Sequence, residues 1–186
     1  MMLTVWLIAY ALPAFLTACW IKLFSHQQGG SPKNLIIVHI MLVVSSLLSL
    51  GFARALGFVI PLPHAWSFAL YAVSVVFAGW MIGWLGLWYG FSAFLQQLCM
   101  LSIALILLPA YPLWAVVLLI VPLFVFCHQL TGVPYWRLRI VLISVWGAAS
   151  IVLFSYVPDI LLIAALHTLM GALLIKRSVL YGIWKR

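Results

Sequence analysis

Acidic side chains are almost missing from this chain: Asp159 is the single carboxylate among 186 residues. One carboxylate excludes a site built from paired acids, and it leaves no carboxylate to complete a metal set around the histidines. Charge of either sign is scarce, at 5% of positions, while hydrophobic residues fill 68%. That balance excludes an ordinary soluble domain, because several apolar runs exceed the roughly 20 residues a helix needs to cross a bilayer. Cysteine is sparse and unpaired. Cys19, Cys99 and Cys127 are widely spaced and lie inside apolar runs, which excludes a disulfide framework or a CxxC site and predicts buried free thiols. Basic residues are absent before Lys22, so the start of the chain lacks the n-region of a secretory signal and reads as a retained first span.

What is present is hydrocarbon, punctuated by a few polar links. A first span over about residues 2–24 ends at Ser25-His26-Gln27-Gln28-Gly29-Gly30-Ser31-Pro32-Lys33, whose glycines and proline cannot continue a helix cheaply. A second covers about 34–60, long enough to tilt, and is closed by Pro61-Leu62-Pro63-His64. Positions 66–108 then run for about 43 residues without charge or proline, too long for one helix and right for two. The break is expected near Gly86 and Gly90, giving spans over about 66–86 and 90–108. Pro109-Ala110-Tyr111-Pro112 ends the fourth, the fifth covers about 112–130, and a basic aromatic link follows over 131–139. A sixth covers about 140–155, Tyr156-Val157-Pro158-Asp159 turns the chain, and a seventh over about 159–176 ends at Lys176-Arg177.

Charge parity selects seven spans. Lys22 and Lys33, Arg137 and Arg139, and Lys176, Arg177, Lys185 and Arg186 then share one side, with Asp159 on the other. Six spans would split those clusters. The expectation is an all-α polytopic bundle of seven transmembrane helices in one domain over 1–186, N-terminus outside and C-terminus cytoplasmic, in a bacterial cytoplasmic membrane. This topology accounts for the formal charge of +8 better than nucleic-acid binding does, since the basic residues sit at helix ends and form no groove-sized patch.

Arg54, in the outer part of the second span, and Asp159 are candidates for an ion pair, the alternative being that Arg54 reaches to the headgroups. Gly79 and Gly83, then Gly86 and Gly90, stand at the small-xxx-small spacing that lets a neighbouring backbone approach. Trp80, Trp84 and Trp88 form an i, i+4 stripe, read as packing or lipid-facing surface, with docking of a partner subunit as the alternative. Trp6, Trp20, Trp66, Trp136 and Trp184 fall near the expected interfaces.

The polar residues inside the apolar runs carry the functional argument. Phe124 and His128 lie one helical turn apart, and an imidazole surrounded by hydrocarbon needs a partner. Gln96 and Gln97 on the fourth span, His167 on the seventh and His39 at the start of the second are the candidates. A polar cluster between helices is expected. His26 and His64 fall in links, where imidazole is ordinary, and receive no role.

Three motifs, Gln96-Gln97-Leu98-Cys99-Met100-Leu101, Phe124-Val125-Phe126-Cys127-His128 and His167-Thr168-Leu169-Met170-Gly171, resemble in order and helix assignment those of the CPBP family, which contains the type II CAAX prenyl proteases. The resemblance covers about residues 85–178. The family's patterns are Glu-Glu-x-x-x-Arg, Phe-x-x-x-His and His-x-x-x-Asn or Asp, and there the first Glu with the histidines activates water. Here both glutamates are amides, the arginine is leucine and the last position is Gly171. An amide cannot take a proton from water near neutral pH, and general-base help is worth about 10²–10⁴-fold. The resemblance thus implies a pseudo-protease, with Gln96 keeping only hydrogen-bonding capacity toward His128 or His167. It is also similar in fold to the seven-span scaffold subunit of γ-secretase, which implies a non-catalytic subunit meeting other membrane proteins and lipid inside the bilayer, without a cofactor.

Two other readings stand beside it. A b-type haem protein would use His39 with His128, or His128 with His167, as axial ligands. An active intramembrane protease would use Ser92, in Gly90-Phe91-Ser92-Ala93, with His167 as its base.

Overall fold

The computed structural model describes Thr4 and residues 32–129 and 136–176. Residues 1–31, Thr4 excepted, therefore lie outside the described residues, and with them the first span and most of the link after it. Among the described residues the fold is all-helical. The helices are α1 (Pro32–Ala55), α2 (Ala65–Ile82), α3 (Trp84–Leu107), α4 (Leu113–Gln129), α5 (Trp136–Tyr156) and α6 (Ile160–Lys176).

Helix ends follow local chemistry. Gly57, at φ 82°, takes the left-handed conformation that closes α1, with its N–H on the Arg54 carbonyl and the Phe58 N–H on that of Ala53. The helix therefore stops at Ala55, short of the expected 60. Between α2 and α3 the break is Gly83, at φ 71°, with the Gly86 N–H on the Gly83 carbonyl. Gly86 and Gly90 are interior to α3, so the fourth span begins at Trp84 rather than about 90. Pro122 lies inside α4 without ending it.

A single residue turns the chain between α2 and α3, and glycine allows the two helices to close on each other. A Cβ on Gly86 would strike the Ala78 carbonyl, and one on Gly90 would meet Val75 at 2.8 Å. Gly79 is looser, with Leu87 at 3.2 Å. Three of the four predicted packing glycines thus face the α2–α3 contact, and Gly83 is the hinge.

α3 is the central element, buried over most of its length and packed on α1, α2 and α6, with lighter contact to α4 and α5. α2 also lies along α6, and α4 pairs with α5. Met100, Leu101, Ile103, Ile120, Phe124, Ile151, Phe154 and Ile163 fill the core between them. Outward faces stay apolar: Val73, Val76 and Trp80 on α2, Leu118 on α4, and Val141 and Val145 on α5 are all exposed. α2 and α3 are long and apolar enough to cross a membrane, and α3, with 24 residues, spans about 36 Å.

Candidate functional site

The polar core forms where α3, α4, α5 and α6 meet. The Gln97 amide N–H donates to Nδ1 of His167 at 2.8 Å, joining α3 to α6. Both residues are buried, Gln97 completely. An imidazole that accepts at Nδ1 carries its proton on Nε2, so the amide fixes the tautomer. Three aromatic rings stand around His167: Tyr89 edge-on at 6.0 Å, Phe124 at 6.1 Å and Trp146 at 5.6 Å between centroids.

Gly171, one turn beyond His167, makes room for one of them. A Cβ there would overlap the phenol of Tyr89, oxygen and ring alike. Gly171 thus borders a tyrosine delivered by α3. Sequence reasoning missed Tyr89, and the bare glycine was the signal that something large arrives from another helix.

The expected cluster divides in two. Gln97 is the amide seated on His167, and Gln96 beside it is half-buried. Phe124 is buried against His167. The His128 side chain lies outside the described residues. His39 belongs to a separate site, where its Nε2 is 2.5 Å from the Ser92 hydroxyl, with Trp88 and Phe91 against the ring. Ser92 is five residues, about 7.5 Å along α3, from Gln97. The structure therefore pairs Ser92 with His39, whereas the protease reading gave it His167. A serine–histidine contact of this kind is a nucleophile with a base in reach, and no carboxylate orients it.

His39 and Ser92 continue a polar seam between α1 and α3. Ser46 donates to the Leu95 carbonyl at 3.0 Å, and the Ser45 and Ser49 hydroxyls lie 3.1 and 3.4 Å from the Cys99 sulfur. His39, Ser46 and Ser49 share one face by helical spacing, a signal of this seam that the sequence already held. Such bonds between apolar helices are worth about 0.6 kcal/mol each. Cys99 is a buried free thiol.

Asp159 is occupied elsewhere than with Arg54. Its carboxylate accepts the Leu162 N–H at 3.0 Å, capping α6, and the His64 N–H and Ser67 hydroxyl at 3.0 and 2.5 Å, tying on the start of α2. Arg54 is exposed, and no ion pair joins it to Asp159 among the described residues. Burial pushes the Asp159 carboxyl up, but the hydrogen bonds from Ser67, Leu162 and His64 and the His64 charge together outweigh it. It titrates below the usual carboxylate range.

The tryptophan stripe falls on two helices, since Gly83 separates Trp80 from Trp84 and Trp88; all three are exposed. The Lys176 ammonium sits 5.5 Å over the Trp80 ring. Among the described residues no group of three His, Cys, Asp or Glu side chains is placed to hold a metal ion. For a haem iron, Nε2 of His39 is on Ser92 and Nδ1 of His167 is on Gln97. Comparison with known protein families, with curated proteins and with solved structures finds no match to this chain.

Proposed function

We propose that this chain is a non-catalytic integral membrane protein, a scaffold or accessory subunit of a larger membrane complex, built on a CPBP-like bundle of seven spans with the N-terminus outside and the C-terminus in the cytoplasm. The observation that carries the reading is the Gln97–His167 bond inside its aromatic cage. In the family it resembles, a carboxylate at this helix takes a proton from water. Here an amide donates to the imidazole instead, and an amide cannot take a proton from water near neutral pH. The motif's geometry serves helix association, at about 0.6–2 kcal/mol.

Support for the membrane setting comes from the apolar outward faces of α2, α4 and α5, which leave a partner little surface except that inside the bilayer. Charge parity supports the orientation, and a bacterial inner membrane is the setting we propose. A second reading, an intramembrane serine hydrolase, draws on the Ser92–His39 contact. The polar seam that this contact continues favours the structural role.

One experiment separates the readings. The purified chain in lipid nanodiscs is incubated with a prenylated peptide and, in parallel, with a serine-directed fluorophosphonate. Turnover no greater than that of His167→Ala, with no adduct on Ser92, supports the scaffold. Peptide cleavage lost in His167→Ala overturns it, and a Ser92 adduct lost in His39→Ala replaces it with the hydrolase.

A further inference from the structure

Among the described residues, two polar atoms beside His167 lack partners. Gln97 uses its amide N–H on the imidazole, but its Oε1 accepts no hydrogen bond although the residue is completely buried. Trp146, packed against the same imidazole from α5, has a buried indole Nε1–H with no acceptor. One atom is an acceptor and the other a donor. Both border a ring whose own Nδ1 is already taken, so neither is satisfied by His167 at that nitrogen.

The chemistry restricts what fits. An apolar molecule would leave both atoms unpaired in a site where an unmade hydrogen bond is costly. A cation finds no countercharge, because the single carboxylate of the chain is on the caps of α2 and α6, and a fully deprotonated anion has no proton to give to Oε1 of Gln97. A neutral molecule that both donates and accepts is required, and the smallest is water. Buried waters occur about once per 27 residues and make about three hydrogen bonds to groups otherwise unsatisfied.

We propose that a water molecule is held beside His167, donating to Oε1 of Gln97 and accepting from Nε1–H of Trp146. It joins α3 to α5 as the Gln97–His167 bond joins α3 to α6, so the amide becomes the point where three helices are tied. Replacing Gln97 removes both ties at once. The site is independent of the scaffold reading: an enzyme and a scaffold hold the same water, and its detection needs neither turnover nor a partner.

The test is a water-to-indole NOE measured on the full chain in nanodiscs with ¹⁵N-labelled tryptophan, the Trp146 signal being assigned by its loss in Trp146→Phe. The expected result is a cross-peak between water and the Trp146 indole proton that disappears in Gln97→Leu, with an upfield shift of that proton. Absence of the cross-peak in the unaltered chain, or its persistence in a folded Gln97→Leu, overturns the proposal. If Gln97→Leu does not fold, an experimental structure of the unaltered chain decides. Water density within hydrogen-bonding distance of both atoms supports the site; a direct bond from the indole to Oε1, or the His128 side chain in that position, overturns it.

Discussion

At the scale of single residues, Gly171 and Gly51 make opposite predictions from the same substitution. Both are interior to helices, where Ala is intrinsically favoured over Gly by about 0.8–1.0 kcal/mol. At Gly51 an added Cβ meets nothing within 4 Å, so Gly51→Ala should leave stability unchanged or raise it by up to that amount. At Gly171 the same methyl collides with the Tyr89 phenol, which is buried beside His167. Overpacking of a filled core costs about 1–3 kcal/mol, enough to outweigh the propensity gain. Gly171→Ala should therefore lower the thermal midpoint in detergent while Gly51→Ala does not. Equal midpoints for the two variants would show that Tyr89 is free to move aside. The sequence pointed to Gly171 only through the motif it resembles. It did not point to Tyr89, because nothing in local spacing tells which helix supplies the ring that fills the space.

At the scale of elements, Asp159 shows how charge logic and backbone logic diverge. Read as the single acid near a single outer arginine, it pairs with Arg54. In the fold it serves backbone donors at the start of α6 and of α2, for which the requirement is a hydrogen-bond acceptor rather than an opposite charge. The break between α2 and α3 was missed for a related reason: Gly83, Gly86 and Gly90 look alike in sequence. The choice among them is made by Gly86, which must stay helical to meet the Ala78 backbone, leaving Gly83 as the turn. Asp159 titrates below its unfolded range, so its stabilisation is fully present above about pH 3.9 and is lost as pH falls through the folded value. The thermal midpoint should hold from neutrality to about pH 4 and fall below it. Asp159→Asn, which keeps an acceptor oxygen for the cap, should flatten that acid limb, while Asp159→Ala should lower the neutral midpoint by the equivalent of about 0.5–2 kcal/mol, the usual worth of a helix cap. An unchanged acid limb in Asp159→Asn would assign the loss to other groups.

At the scale of the whole molecule, helix alternation groups the links into two ends, and the Asp159 contacts fix which links belong together. The His64 N–H and the Ser67 hydroxyl meet the carboxylate that precedes α6, so the α1–α2 and α5–α6 links lie at the same end. One α-helix away, Gly83 and Lys176 mark the other, where Lys176 covers Trp80. The orientation we propose puts the first end outside the cell and the second in the cytoplasm, because the basic residues gather at the second. Leu62 and Tyr156 report the first end and Trp84 the second, and all three are well exposed. In a chain whose native cysteines are replaced, Leu62→Cys and Tyr156→Cys should react with an impermeant maleimide added to intact spheroplasts, and Trp84→Cys only after permeabilisation. Reaction of Trp84→Cys alone in intact cells would invert the orientation while preserving the fold. Reaction of Leu62→Cys and Tyr156→Cys from opposite sides would instead break the α2–α6 connection made through Asp159, and with it the span parity on which the seven-helix arrangement we propose depends.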